Sequence, residues 1–452
     1  MIHIDARAES RQKNSSVVQL AALSNLLNDD EIETVCRKLG HKWRERLLPP
    51  GVTVRSMVYR GLHPDHSITA TLADMAGANP NMEEAPSDAS WCEARNRLPQ
   101  QLLPELIQRS VTRLQDVVGK KHLYRGRPVY HFDGSTVSMP DTPDLVEAFG
   151  YANTKHGPSR FPVARISFLT LAGVEAVVDY RMDDYRTSED EQFRAMWNRI
   201  PSRALVVFDR FCSSFFNLAK LRRRRIDAIT RLHQRRDPKA LIARGKRIGK
   251  DQWIVPLTLW PQVRKKYDDS TLPETLKVRL IRVRHGKDKM QKTFWLVTTL
   301  LDPKAYPRGE IVKLYRRRWE IETRIGSLKT SLEMGVLRSR SEPNVRKEVA
   351  SLVLAHNLTW TVIHQAARQE RVPAARISFT GAIKYILAFS TPLRSVSAAE
   401  RPRIYSKMLQ AIGRQTNPHR PDRIEPRLVK RDRRRYGFLK EPRCLARRKG
   451  LS

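Results

Sequence analysis

The chain has 452 residues, which is long enough for two or three domains with a large hydrophobic core. Its 84 Lys and Arg residues exceed its 47 Asp and Glu residues, and the formal net charge of +37 favours a polyanionic partner. A hydrophobic content of 40% argues against a disordered chain. The sequence has neither an apolar signal segment nor a run of about 18 apolar residues, so we expect a cytoplasmic, nucleoid-associated protein that does not enter a membrane.

The four cysteines are scattered and form no C-x-x-C pair. They lie at Cys36, Cys92, Cys212 and Cys444. This spacing argues against a disulfide framework and against a zinc site, so we expect reduced, structural thiols. The sequence also lacks a G-x-x-x-x-G-K-[ST] motif, and we therefore expect no nucleotide cofactor.

The first 125 residues have the pattern of a helical domain. Apolar residues recur at helical spacing in four segments: Val17–Leu27, Val54–Leu62, Ile68–Met75 and Leu102–Val117. Short helices with basic residues such as Arg95 and Arg97 are compatible with a helix-turn-helix-like DNA reader. A plain helical bundle has the same spacing. The net charge favours DNA contact, so we interpret residues 1–125 as a DNA-binding domain.

From residue 126 the pattern is that of an α/β core with a mixed sheet flanked by helices. The predicted strands are Pro128–Asp133, Val163–Leu171, Val174–Tyr180, Ala204–Phe208 and Ile226–Arg231, and the predicted helices are Ser188–Ile200 and Ser214–Arg224. Residues 126–232 are thus the first part of the core. Three further β runs predict a β-rich insertion over residues 233–305: Trp253–Leu259, Leu276–Arg284 and Thr293–Leu300.

The core is predicted to resume over residues 306–370, with helices at Leu314–Thr330 and Val345–Arg368. Residues 371–452 have the pattern of a helical and basic C-terminal region.

One face of the first of these helices carries four polar groups. Tyr315, Arg318, Glu322 and Lys329 stand at relative positions 0, 3, 7 and 14, within an arc of roughly 60° on an ideal helix. Glu320 points to the opposite side. A carboxylate between cations suits metal ions and phosphates, but a solvated helix with i,i+4 ion pairs has the same pattern.

Two aspartates stand at the ends of predicted strands, where α/β sheets collect functional groups. They are Asp133 and Asp209. Together with Glu322 they could hold a pair of divalent cations that activate an attacking oxygen and stabilise a leaving one. An acid at a strand end is also a common cap or turn residue, and only the combination with the helix favours a site.

These motifs resemble a known family. Tyr315-x2-Arg318-x3-Glu322-x6-Lys329 resembles the Y-R-E-K signature of transposases of the insertion sequence 4 family, while YHFDGS around Asp133 and VVFDRF around Asp209 resemble its two catalytic aspartate blocks. The resemblance covers almost the whole chain. Many relatives have Gly after the D-R pair, where this chain has Phe211, so the turn is expected to pack differently.

The resemblance implies a ribonuclease-H-like fold with a DDE triad that binds Mg²⁺ or Mn²⁺, as two ions, through Asp133, Asp209 and Glu322. It also implies cut-and-paste transposition: cleavage at the terminal inverted repeats, joining to target double-stranded DNA, a hairpin intermediate, and a homo-oligomer assembled on DNA. Tyr315, Arg318 and Lys329 are then expected to bind phosphates, as Arg groups near a phosphoryl centre stabilise its charge. Arg210 is a further phosphate candidate, with helix capping or packing as the alternative.

Other residues and functions stay open at this stage. A hairpin intermediate needs an aromatic platform for a turned-out base. Trp253, Trp260 and Trp295 are candidates, but tryptophans in such an insertion are more often core residues, so none is assigned to the site. His131 lies on the same strand face as Asp133 and is interpreted as a supporting residue. The alternative functions are a domesticated DNA-binding protein without transposition and a DNA endonuclease of the same fold.

Overall fold

A computed structural model describes residues 21–44, 46–63, 67–77, 85–154, 157–285, 292–418, 445 and 448. The described residues fall into two compact units. The first, which we call the helical unit, lies within Met1–Val117, Val137–Ala164 and Ser327–Ser452. The second, which we call the sheet unit, lies within Val118–Thr136 and Arg165–Gly326. The domain boundaries drawn from the sequence stay predictions.

The helices and strands of the described residues have the following bounds. The α-helices are α1 (Asp29–Lys38), α2 (Pro50–Leu62), α3 (Ile68–Gly77), α4 (Asp88–Arg97), α5 (Leu102–Val118), α6 (Pro143–Phe149), α7 (Glu189–Ala195), α8 (Phe215–Arg223), α9 (Pro238–Ala243), α10 (Pro261–Tyr267), α11 (Arg308–Arg316), α12 (Trp319–Gly326), α13 (Glu342–Glu370), α14 (Phe379–Ser395) and α15 (Arg401–Gly413). The strands are β1 (Val129–Ser138), β2 (Tyr151–Thr154), β3 (Gly157–Leu171), β4 (Ala176–Asp184), β5 (Leu205–Phe208), β6 (Asp227–Arg231), β7 (Lys246–Gly249), β8 (Gln252–Thr258), β9 (Thr275–His285) and β10 (Lys292–Thr298).

The long helix α13 is central to the helical unit. Its apolar side chains Val349, Leu358 and Ile363 are fully buried, and it packs against α2, α14 and α15. Burial on most of its surface explains why a helix of this length is stable. In the same unit, β2 pairs with the first part of β3.

Several predictions fall partly outside the described residues. The predicted helical and basic region 371–452 is described only to residue 418 and at residues 445 and 448. The predicted helix Val17–Leu27 is described only from residue 21, where Ala21–Leu23 forms a 3-10 turn. Cys444 also lies outside the described residues. The three cysteines within them, Cys36, Cys92 and Cys212, are free, as expected.

The sheet unit contains a mixed sheet with the order β3–β1–β5–β6–β10–β9–β8–β7, and β4 pairs with β3. Strands β1, β5 and β6 pair in parallel. From β6 outward, the neighbouring strands β10, β9, β8 and β7 pair in antiparallel fashion. Every residue of β5 is buried, as expected for a strand covered on both faces. Helix α11 contributes Ile311, Leu314 and Tyr315 to the apolar cluster on this sheet. The predicted α/β class is confirmed.

The parallel register between β1 and β5 positions the two aspartates. Phe132 pairs with Phe208, so Asp133 and Asp209 both follow the last paired position. The prediction that the first strand ends at Asp133 is wrong: β1 continues to Ser138 beside the longer β3. The two acids nevertheless emerge at the same level of the sheet.

No helix in the described part of the chain is long and apolar enough to cross a membrane.

Candidate functional site

The segment predicted as one helix, Leu314–Thr330, is divided in the structure. Helices α11 and α12 cover its first part, and Ser327–Ser331 forms a π-helical turn. Between the two α-helices, the backbone N–H of Arg318 donates to the carbonyl of Tyr315 over 3.0 Å, a three-residue bond that tightens the turn. The prediction of one regular helix face is wrong, because the tightened turn and the π turn both change the angle between successive side chains.

Arg318 joins two acids of the predicted triad. Its Nη1 donates to Oδ2 of Asp133 over 3.1 Å, and its Nη2 donates to Oε1 of Glu322 over 2.7 Å. The residue is only 9% exposed. Burial opposes its charge, but the neighbouring acidic groups and Tyr315 raise the pKa of Arg318 above its ordinary value. The guanidinium therefore stays charged and holds Asp133 and Glu322 on either side of it.

Asp209 completes this group of acids. It precedes the 3-10 turn Arg210–Cys212 without capping it through its side chain. Burial raises the pKa of the Asp133 carboxyl above its ordinary value, and the charges of Glu322 and Asp209 act in the same direction, against Arg318. The structure thus brings all three predicted acids into electrostatic contact in the sheet unit.

Glu189 is a fourth acid here, which the sequence reasoning missed. It is the first residue of α7, where Ser188 and Glu191 form a capping box. Its Cδ would lie 2.9 Å from a Cβ added at Gly134, the residue after Asp133. Burial raises the pKa of Glu189 to about 7, with Asp133 contributing next. The sequence predicts only a helix at Ser188–Ile200, and no signal in its acidic start, SEDE, separates Glu189 from its neighbours.

Tyr315 packs into the apolar cluster on the sheet. It is 6% exposed and its ring centroid is 6.1 Å from that of Phe294. Burial raises the pKa of the Tyr315 phenol to about 12, so the hydroxyl is protonated at neutral pH and can donate a hydrogen bond. The role toward phosphate, which needs a donor, stays a prediction.

The other two predicted phosphate-binding residues have different settings. Arg210 directly follows Asp209, and its Cζ lies 5.4 Å from the ring centroid of Phe211, which is 62% exposed. Lys329 belongs to the helical unit, on the π-helical turn, where burial lowers the pKa of its ammonium from the ordinary value. Both residues stay predictions.

Next to the acids, the sheet unit holds a second charged group with balanced ion pairs. Arg324 Nε donates to Oε2 of Glu175 over 2.7 Å, with both residues buried, and Arg317 Nε donates to Oε1 of Glu320 over 2.9 Å. Glu320 is thus paired away from Arg318, as its position predicted. Burial lowers the pKa of the neighbouring His131 to about 4, so this imidazole is neutral.

The three tryptophan candidates are half-buried rather than core residues. Trp253 and Trp295 lie with ring centroids 5.7 Å apart, and the Cζ of Arg282 is 5.9 Å from each. Arg236 covers Trp260 at 4.5 Å. Each indole therefore has a cationic partner on one side, and a role as a base platform stays a prediction.

The side chains present fit a divalent cation in their chemistry. Mg²⁺ and Mn²⁺ prefer carboxylate oxygens, and the four acids outnumber the one guanidinium that forms ion pairs with them in the described residues. Within that same part of the chain, no three ligating side chains converge on one point as they stand, since Arg318 is bonded to two of them. Asp133, Asp209 and Glu322 remain the predicted ligands.

An α/β sheet that gathers carboxylates beyond its parallel strands is typical of metal-dependent enzymes of phosphate chemistry. Comparison with known proteins makes this specific. Residues 124–358, more than half of the chain, match the family model described as "Transposase DDE domain". The chain belongs to this family of transposases, enzymes that cleave and transfer DNA.

Two curated relatives come from Escherichia coli K12. The chain is 24% identical over 401 residues to the transposase InsG for insertion sequence element IS4, which covers 86% of each chain. It is 30% identical over 88 residues to the putative transposase InsZ, which covers 19% of this chain and 29% of that protein. The predicted membership of the insertion sequence 4 family is confirmed.

Among solved structures, the chain is similar to a piggyBac transposase synaptic complex with hairpin DNA. The TM-score is 0.45 with 11% sequence identity, over 90% of this chain and 88% of that chain.

Proposed function

We propose that this transposase moves its own insertion sequence by cut and paste, using Mg²⁺ or Mn²⁺ to cleave double-stranded DNA at the terminal inverted repeats and to join the freed ends to target DNA. The observation that carries the proposal is the ion-paired group in which Arg318 lies between Asp133 and Glu322, with Asp209 beside them. Two such ions would be held by these three acids. A hairpin intermediate and a homo-oligomer assembled on DNA complete the proposal.

The chemistry asked of the site is a displacement at phosphorus. An attacking hydroxyl forms a new P–O bond while the bond to the leaving oxygen breaks, and the phosphoryl oxygens gain negative charge. The divalent cation, when bound, supplies positive charge to the attacking and leaving oxygens.

The residues of the chain act on the same charge. Arg318 presents a planar guanidinium that fits two phosphate oxygens at once. When it turns from Asp133 and Glu322 toward a phosphate, it exposes both carboxylates for cation binding. Tyr315 offers its protonated hydroxyl as a donor, and Arg210 adds a charge beside Asp209. Lys329 is assigned a phosphate-binding role from the sequence signature alone.

The test is an end-cleavage and strand-transfer assay. The full-length protein is incubated with DNA that carries the terminal repeats of its element, in Mg²⁺, and compared with Asp209→Asn and Glu322→Gln. We expect both variants to lose cleavage by about 1,000-fold or more, because each removes an anionic ligand, while Glu147→Gln, an exposed carboxylate of the helical unit, stays active. Variants that cleave and join as well as the wild type would contradict the triad.

The products of the same assay separate the alternative functions. Strand-transfer joints identify a transposition reaction, whereas cleaved ends without joints identify an endonuclease. Specific binding to the ends without nicking in either Mg²⁺ or Mn²⁺ identifies a protein that acts by occupancy.

A further inference from the structure

Glu189 is an acidic side chain in a position that disfavours its ionised form. It carries a carboxylate that is largely withdrawn from water and lies near other carboxylates. Among the described residues, no hydrogen bond and no ion pair is formed by this carboxylate. An ionised carboxylate that is withdrawn from water without a partner is unfavourable, so such a group takes up a proton, pairs with a base or binds a cation.

Two features of the chain direct Glu189 toward the triad. Gly134 lacks the Cβ that would come within 2.9 Å of the Glu189 Cδ, so the residue after Asp133 leaves room for this side chain. The capping box of Ser188 and Glu191 fixes the first turn of α7. Glu189 itself takes no part in that box.

The surrounding charge is acidic in sum. After burial, Asp133 has the largest effect on the pKa of Glu189 and raises it. Arg165 then lowers this pKa, Asp209 raises it and Arg318 lowers it, in decreasing order. Arg318 is already bonded to Asp133 and Glu322. Arg165 donates to the backbone carbonyl of Tyr185, and no ion pair joins it to Glu189 among the described residues. The group of acids therefore has an excess of negative charge.

From this placement we infer that Glu189 is a fourth carboxylate of the cation site, which strengthens binding of the divalent cation beside Asp133 and Asp209. The inference rests on the proposed function, since it assumes that the triad binds Mg²⁺ or Mn²⁺. It adds a residue from α7 to a site otherwise drawn from β1, the end of β5 and α12. Because Mg²⁺ keeps several of its waters, a carboxylate beside the direct ligands can act through one of them.

The test is Mn²⁺ binding to the full-length protein, followed by the electron paramagnetic resonance signal of free Mn²⁺. Glu189→Gln keeps the shape of the side chain and removes its charge. We expect a loss of Mn²⁺ affinity of about tenfold or more, as is typical when a supporting group of a metal site is removed. Glu191→Gln is the matched control, because it weakens the capping box of the same helix but leaves Glu189 in place.

Asp209→Asn separates failure of this inference from failure of the proposed site. If Asp209→Asn weakens Mn²⁺ binding and Glu189→Gln binds like the wild type, the fourth carboxylate is wrong and the triad stands. If all variants bind equally, or the wild type binds no Mn²⁺ at millimolar concentration, both are overturned. A loss in Glu191→Gln as large as that in Glu189→Gln also overturns the inference, since helix α7 rather than the carboxylate is then responsible. Thermal unfolding without metal verifies that each variant is folded.

Discussion

Two charged groups in the sheet unit share helix α12 and differ in their balance of charge. Glu175 and Arg324 form an ion pair with both side chains buried. A few residues away, Arg318 is the one cation that forms ion pairs with Asp133 and Glu322 among the described residues, and Asp209 and Glu189 add two more carboxylates. The charges of the first group are balanced. The second group has an excess of negative charge, which a divalent cation would compensate.

The difference indicates which charges hold the fold together and which act on a substrate. Arg324 overcomes the burial of Glu175 so well that the pKa of this carboxyl lies below its ordinary value. The opposite holds at Asp133, where burial and neighbouring acids raise the pKa despite the bond to Arg318. Strongly perturbed acids that lack full compensation are typical of functional sites.

Breaking the balanced pair should have the largest effect on stability. Arg324→Met leaves the Glu175 carboxylate buried and unpaired, and we expect the free energy of unfolding to fall by roughly 3–5 kcal/mol. Urea denaturation of the full-length protein measures this. The double variant with Glu175→Met should regain most of the lost stability. Addition of Mg²⁺ to the single variant Arg324→Met should restore none of it. Recovery of the single variant by Mg²⁺ would show that this pair belongs to a cation site.

Removing the arginine of the acid-rich group should act on the reaction more than on the fold. Arg318→Met takes away a guanidinium that stabilises phosphoryl charge, so we expect cleavage of the element ends to fall about 100- to 1,000-fold. Arg318→Lys should recover only part of the rate, because an ammonium lacks the planar fork.

The effect of Mg²⁺ on thermal stability should differ between the wild type and Arg318→Met. Without Arg318 the four acids repel one another, and Mg²⁺ should raise the melting temperature of Arg318→Met more than that of the wild type. An equal shift in both proteins would contradict the account of excess negative charge.

The smallest effect is expected at Arg210. Arg210→Gln removes a half-buried charge beside Asp209 that makes no ion pair in the described residues, so stability should change by less than about 0.5 kcal/mol. If Arg210 binds a phosphate, the slope of log affinity for end DNA against log salt should decrease by about one. Fluorescence anisotropy over a salt series measures the slope. An unchanged slope would assign Arg210 to packing on Phe211 instead.

The same comparison explains what the sequence could predict. The triad was predictable from two sequence signals. Asp133 and Asp209 follow apolar strand runs, and Glu322 has the Y-R-E-K spacing. Parallel pairing of the strands then brings the two strand ends together. Glu189 was missed, because a capping acid and a site acid look alike at a helix start. The Arg324–Glu175 pair joins positions 149 residues apart, a contact that no local pattern encodes. The break between α11 and α12 could not be predicted either, because Leu314–Thr330 contains no Pro and has a residue composition compatible with one continuous helix.

The central claim is that the acid-rich group binds the cation that serves DNA cleavage. A crystal structure of the full-length protein soaked in Mn²⁺, with an anomalous difference map, tests it directly. We predict anomalous peaks within coordination distance of Asp133 and Asp209, with the Arg324–Glu175 pair unchanged and free of metal. Peaks elsewhere, or an acid-rich group without metal in a protein that cleaves its DNA ends in the same Mn²⁺ concentration, would contradict the account.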